Sequence, residues 1–273
     1  MKKISAKVCL NLLCTVICII ILAPLAWIIL NSLKTNKELF QNSLALPAAW
    51  QFGNYAKAWK MGLYKYFGNS FLVSSISLVG ILVISSFLSY GLTRFKAKGS
   101  NLIFVIILGG MALSEQIALV PLYKILKALH IYNTYAAVIL PYIAFRIPFT
   151  VFLMRAYFIS IPMELEEAAV MDGYNSLQIF TKIIVPISKP IFASCAIVNL
   201  NFVWNEFLFA NVFLNNKALQ TIPIGLMTFK GDLKVDYTTT LAGLVIASLP
   251  LIILFICMSK QFVKGLTSGA VKG

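Results

Sequence analysis

Residues 166–186 read EEAAVMDGYNSLQIFTKIIVP, a polar and mildly amphipathic stretch flanked on both sides by long apolar runs. Its residue types dictate a short helix, a turn and a second helix. Pro162 suits the first turn of a helix, where its missing N–H costs nothing, and Glu164, Glu166 and Glu167 follow where the macrodipole favours negative charge. Ala168 and Ala169 combine high helix propensity with minimal bulk, so a neighbouring surface can approach closely. After Asp172, Gly173 can close the helix in a left-handed conformation at no steric cost. Asn175 then resembles an N-cap with Gln178 at the third helical position, and Leu177, Ile179, Phe180, Ile183 and Ile184 supply an apolar face up to Pro186 and Pro190. On residues alone, the segment 160–190 fits either an interfacial connector or a surface that meets another protein.

The chain around that segment is built for lipid. Of its 273 residues 60% are hydrophobic and 12% charged, more apolar than one soluble core requires. A spanning helix needs about 20 apolar residues, because only a complete helical ladder satisfies the backbone where water is absent. Six runs qualify, at 8–32, 70–91, 102–124, 135–158, 191–213 and 239–260. They predict an all-α membrane protein with six transmembrane helices, one domain over 1–273, and both termini on one side. The first run is too long for a signal-peptide core and has no small-residue cleavage site after it, so it reads as an anchor. Placing the termini inside gives twelve inner Lys and Arg against ten outer ones, and the dense clusters at Lys2, Lys3 and Lys7 and at Arg94, Lys96 and Lys98 favour that orientation.

Several functions are disfavoured at this point. The net charge of +14 is strewn along loops beside the spans, which suits phospholipid headgroups better than nucleic acid. No G-x-x-x-x-G-K-[ST] loop is present to cradle a nucleotide, and the single histidine, His130, has no nucleophile–acid arrangement to join, so an enzymatic role is not expected. Cys9, Cys14, Cys18, Cys195 and Cys257 all fall in apolar runs, where they read as small packing residues rather than disulfides or metal ligands. In the first long loop, Trp50, Tyr55, Trp59, Tyr64 and Tyr66 suggest a helix lying at the headgroup boundary or a docking surface for an external partner. A later loop, 215–237, carries Asp232 and Asp236 in irregular, solvated sequence.

The spacing in the opening stretch adds a resemblance. Glu167, Ala168 and Ala169, three residues to Gly173, nine more to Ile183, then Val185 and Pro186, resemble the EAA loop of ABC importer permeases, in which leucine stands at the position of Val185. IPMELEEAAVMDG (161–173), VWNEFLF (203–209) and GLTSGAVKG (265–273) are similar to the carbohydrate branch of that family, the smaller membrane subunit of maltose-type importers. The resemblance implies a type I importer fold in the bacterial cytoplasmic membrane, a second homologous permease subunit forming a heterodimer, two ATP-binding subunits and an extracytoplasmic solute-binding protein. ATP and Mg would be held by the ATPase subunits, with no cofactor on this chain. It further implies that Glu166, Glu167, Ala168, Ala169, Asp172, Gly173, Ile183 and Pro186 couple to the ATPase, and that the tail at about 261–273, with Gly265, Leu266, Thr267, Gly269 and Gly273, reaches the same partner.

Charged and amide groups inside the apolar runs need a separate explanation, since an ionised side chain in a span normally faces a cavity or a partner. Glu115, Arg146 and Glu206 are such groups, with Asn199, Asn201, Trp204 and Asn205 nearby in sequence. Two readings stay open: amides, a carboxylate and an aromatic ring that line a path for sugar hydroxyls, or side chains that stitch helices together. Arg146 is expected to pair with Glu115, or alternatively to meet an acidic group on a substrate. Beside the carbohydrate reading stand a permease for glycerol phosphate or another polyol derivative, and an ion-coupled secondary transporter using the same three charges. The absence of a visible repeat and the elaborate 160–190 loop argue against the last.

Overall fold

The computed structural model describes residues 2–95, 98–229 and 236–270, with residues 2–8 and 260–270 described by backbone alone. Helices form because the apolar runs leave the backbone no other partner in lipid. In chain order they are α1 (Lys2–Ser32), α2 (Asn36–Gln41), α3 (Gly53–Ala58), α4 (Tyr64–Arg94), α5 (Ser100–Gly109), α6 (Glu115–Ala128), α7 (Ala136–Ile159), α8 (Glu164–Met171), α9 (Ser176–Ile179), α10 (Val185–Ile187), α11 (Lys189–Asn205), α12 (Leu208–Phe213), α13 (Ile222–Met227) and α14 (Tyr237–Ala270). Single π-helical turns join α3 to α4 and α9 to α10. The described residues contain no strand.

Four helical stretches are long and apolar enough to cross a membrane, Cys9–Ser32, Gly53–Arg94, Ala136–Ile159 and Tyr237–Ser259. The expected span 102–124 is a bent pair instead, Ser100–Ala112 with Glu115–Ala128 at 99°, and the expected span 191–213 begins beyond a 75° bend between Ser176–Ile187 of the loop and Lys189–Asn205. The first break has a local cause. Ser114 is extended (φ −78°, ψ 144°) and its hydroxyl accepts from the Ile117 amide, so it caps a new helix and ends the old one. The run 191–213 is itself divided, because Glu206 adopts an extended conformation (φ −65°, ψ 129°) between α11 and α12.

The chain clusters into two compact units, Met1–Phe67 with Gly225–Leu249, and Gly68–Ile224 with Pro250–Gly273. In the first, the loop after α1 is pinned by polar contacts: Asn54 donates to the Ser32 and Lys34 carbonyls, and the buried Lys34 ammonium donates to those of Asn42 and Ser43 at 3.1 Å each. Asp236, ahead of α14, accepts from Asn36 and pairs with Lys57, while its former companion Asp232 lies outside the described residues. Burial would raise the Asp236 pKa, but hydrogen bonds from Lys57, Thr239 and Asn36 outweigh it and hold the carboxyl below its ordinary range. Tyr55 and Trp59 do belong to helical backbone in this unit.

The second unit holds both main apolar cores. One gathers Val73, Ile81, Leu126, Val138, Tyr142, Val203, Phe209 and Phe213 from α4, α6, α7, α11 and α12. A stripe of small buried residues on α4, Ser70, Ser74, Ser77, Ser85 and Ser89, lets neighbouring backbones come near, and Ser89 donates to the Val151 carbonyl of α7. At Gly80 an added Cβ would stand 2.5 Å from Ile143 Cδ1, so the glycine leaves room for the Ile143 side chain of α7 against α4. The other core lies at the opposite end of α7 and is described with the site. Of the cysteines only Cys195 is buried in packing; Cys9, Cys14, Cys18 and Cys257 are exposed and unbonded to one another.

Candidate functional site

The 160–190 segment folds as helix, glycine turn, helix. Pro162 lies just outside α8 rather than in its first turn, since α8 begins at Glu164 with Met163 as its cap. Gly173 has φ +82°, and the amides of Tyr174 and Gly173 return to the carbonyls of Ala169 and Val170 at 3.0 Å, which satisfies the carbonyls that the helix end would orphan. Asn175 and Gln178 then form a reciprocal capping box, at 2.9 and 3.0 Å, that starts α9.

Tertiary packing splits this segment into two faces. Glu166 is buried, and Ala169, Ile179, Phe180 and Ile184 turn inward and join Tyr90 of α4, Met154 and Phe158 of α7 and Ile191 and Cys195 of α11 in the second apolar core. Glu167, Ala168, Val170, Met171, Asp172, Gly173, Leu177 and Pro186 are exposed, Met171 by 87%, and Ile183 is half-buried. Adjacent glutamates therefore do different things. Glu167 faces outward. Glu166 Oε1 contacts Arg94 Nε at 2.6 Å as a charge contact rather than a directed hydrogen bond, and Glu166 Oε2 accepts from the Tyr90 hydroxyl at 3.1 Å. Arg94 Nη2 also donates to the carbonyls of Phe158 (3.0 Å), in the last turn of α7, and Ile161 (2.9 Å), just beyond it. Sequence reasoning counted Arg94 only as one charge of a basic cluster and did not single out Tyr90; a basic residue in the last turn of a span was the available signal.

The charges between the helices are arranged otherwise. Among the described residues ion pairs within 4.0 Å are Lys57–Asp236 and Arg94–Glu166, so the expected Arg146–Glu115 pair is not formed. Arg146 Nε instead donates to Asn199 Oδ1 at 3.1 Å, and its guanidinium lies 4.1 Å from the Phe202 ring centre and 5.5 Å from that of Phe149. Stacking on an aromatic face offsets part of the cost of keeping the cation away from water. Asn199 is buried and spends its amide on Thr150 Oγ1 and the Cys195 carbonyl, which ties α11 to α7. Glu206 accepts from the Tyr142 hydroxyl and from the amides of Phe209 and Ala210, and so caps α12. Glu115 sits in the first turn of α6, within electrostatic range of both Glu206 and Arg146 but in contact with neither. Asn201 and Asn205 bond each other on an exposed face of α11, whereas Trp204 is buried.

The helix–helix reading thus accounts for Asn199 and Glu206, while Asn201 and Asn205 keep polar groups exposed on α11. Of the expected tail, 265–270 continues α14 by backbone, the side chains of Gly265, Leu266, Thr267 and Gly269 are not described, and Gly273 lies outside the described residues.

Comparison with known proteins gives consistent results. The profile of the family described as "Binding-protein-dependent transport system inner membrane component" matches residues 7–267. The chain is 46% identical to the probable ABC transporter permease protein YurM of Bacillus subtilis, over 92% of this chain and 83% of that protein. It is 35% identical to the arabinooligosaccharides transport system permease protein AraQ of Bacillus subtilis, over 98% and 96% respectively. With the trehalose/maltose transport system permease protein MalG of Thermococcus litoralis the identity is 31%, over 100% and 99%. A crystal structure of a bacterial ABC transporter involved in import of the acidic polysaccharide alginate superposes with a TM-score of 0.82 at 22% identity, covering 96% of this chain and 98% of that one. That likeness establishes a shared all-helical fold.

Proposed function

Because the chain belongs to the family of binding-protein-dependent transport system inner membrane components, we propose that it is one of two permease subunits that import a carbohydrate, of oligosaccharide size, under the drive of ATP. It is an integral membrane translocation component and not an enzyme. In this reading a homologous second permease completes the path, an extracytoplasmic solute-binding protein delivers the sugar, and two ATPase subunits hold ATP and Mg. The termini and the 160–190 segment face the cytoplasm.

The observation that carries the reading is the two-faced α8. Its outer surface, Glu167, Ala168, Val170 and Met171, is free to meet an ATPase, while its inner surface is built into the core that holds α4, α7 and α11. ATP-driven closure of the ATPases would drag such helices together and swing the bundle between inward-facing and outward-facing states, and hydrolysis would reverse it. Asn201, Asn205 and Arg146 contribute polar groups to the substrate path. In proteoliposomes holding the four-subunit complex and its binding protein, oligosaccharide uptake should require ATP and stop with vanadate. Glu167→Lys and Gly173→Asp should each abolish uptake with the complex intact; normal transport by either variant would refute the assignment of α8.

A further inference from the structure

We propose that Arg94 is the positioning residue that makes α8 and the ends of α4 and α7 one rigid body, so that force on the outer face of α8 turns membrane helices instead of flexing the loop. The proposal rests on the coupling role given to α8 above. Arg94 is the last residue of α4, and its guanidinium reaches three other places: Glu166 on α8, the Phe158 and Ile161 carbonyls at and beyond the α7 terminus, and the Met163 sulfur where α8 begins. One turn earlier, Tyr90 binds the remaining Glu166 oxygen, and its ring packs 5.0 Å from that of Phe180 in the second arm of the segment. Both arms of the helix–turn–helix are thereby fastened to the same end of α4.

The burial decides how firm this fastening is. The Arg94 and Glu166 side chains are only 7% and 10% exposed, so neither can trade its partner for water without a large penalty. Apolar packing alone would let α8 slide along the core, since dispersion has little directional preference. The two hydrogen bonds from Nη2 to carbonyls at the α7 end fix the direction of the guanidinium, and its charge contact then holds the Glu166 carboxylate of α8 against it. Glu167 next to it makes no ion pair among the described residues and remains available outward, so one acidic doublet supplies both an inner anchor and an outer contact.

The test is the coupling ratio, sugar delivered per ATP hydrolysed, in the reconstituted complex. A merely structural role would lower the amount of assembled complex and leave this ratio unchanged. Arg94→Gln should lower the ratio about tenfold or more, because it strands Glu166 without its countercharge. Smaller losses are expected for Arg94→Lys, which keeps the charge but not the fork, and for Tyr90→Phe, which keeps the ring but not the hydroxyl. Should Arg94→Gln not assemble, Arg94→Lys decides. An unchanged ratio in the deciding variant, while Glu167→Lys still stops uptake, overturns the proposal and leaves the coupling role of α8 standing. Normal uptake by Glu167→Lys would overturn both.

Discussion

Two places in the second unit put arginine and glutamate where water is scarce, and they handle the charges in opposite ways. At the α8 end, Arg94 and Glu166 meet at 2.6 Å and close a contact between elements. Between the helices, Arg146, Glu115 and Glu206 lie within electrostatic range yet make no contact pair; Arg146 leans on an amide and an aromatic ring, and Glu206 on a phenol and two backbone amides. A direct ion pair locks two elements together. Charges satisfied by neutral dipoles are held singly, and the bundle can change shape around them without separating opposite charges.

This contrast can be broken by neutralisation. Glu166→Gln removes the countercharge of a buried guanidinium, for which a cost of about 3–5 kcal/mol is expected. Glu206→Gln keeps one acceptor oxygen and should cost about 1–3 kcal/mol, the price of one badly matched donor. Thermal unfolding of the purified complex should rank them in that order; the reverse ranking would mean that the middle cluster is the tighter lock. Arg146→Gln loses one charge-assisted hydrogen bond and a ring contact, with an expected loss of about 1–2 kcal/mol. Since Glu115 and Glu206 both lie near it, uptake of neutral and acidic sugars should fall equally; a loss confined to acidic sugars would show that Arg146 receives a carboxylate.

Gly173 sharpens the comparison at the coupling end. Nothing in this chain lies within 4 Å of an added Cβ there, so only its φ of +82° opposes a neutral side chain. Gly173→Ala should cost about 1 kcal/mol and Gly173→Asn less, read as small shifts in melting temperature with uptake retained. The smallest effect is expected at Lys57–Asp236, where the lysine is 58% exposed and solvent weakens the pair. With the folded pKa of Asp236 depressed, its stabilisation is present above the ordinary carboxylate pKa of about 3.9 and is lost as pH falls toward the folded value. The melting difference between the protein and Asp236→Asn should hold from pH 8 to 5 and close below about pH 4; a difference that closes near neutrality would contradict the depressed pKa.

Much of this architecture is legible in residue order because it is local. Gly173 in the left-handed region and the Asn175–Gln178 box both follow from side chains acting on their own backbone. The break at Ser114 was legible by the same logic, as a capping serine before Glu115, but hydropathy averaged over a window conceals a single extended residue. The fate of Glu206 was not legible, because its partners include Tyr142 on another helix, 64 residues away.

The sequence by itself determined that the chain is helical, that it is bound for a membrane, and that a polar helix–turn–helix interrupts its spans, since apolar run length, glycine and capping residues act over a few positions. Only the tertiary structure decided which glutamate of the adjacent pair faces inward, which arginine finds a carboxylate and which an amide. Those choices rest on Coulomb and packing terms between elements that come together only when the helices assemble.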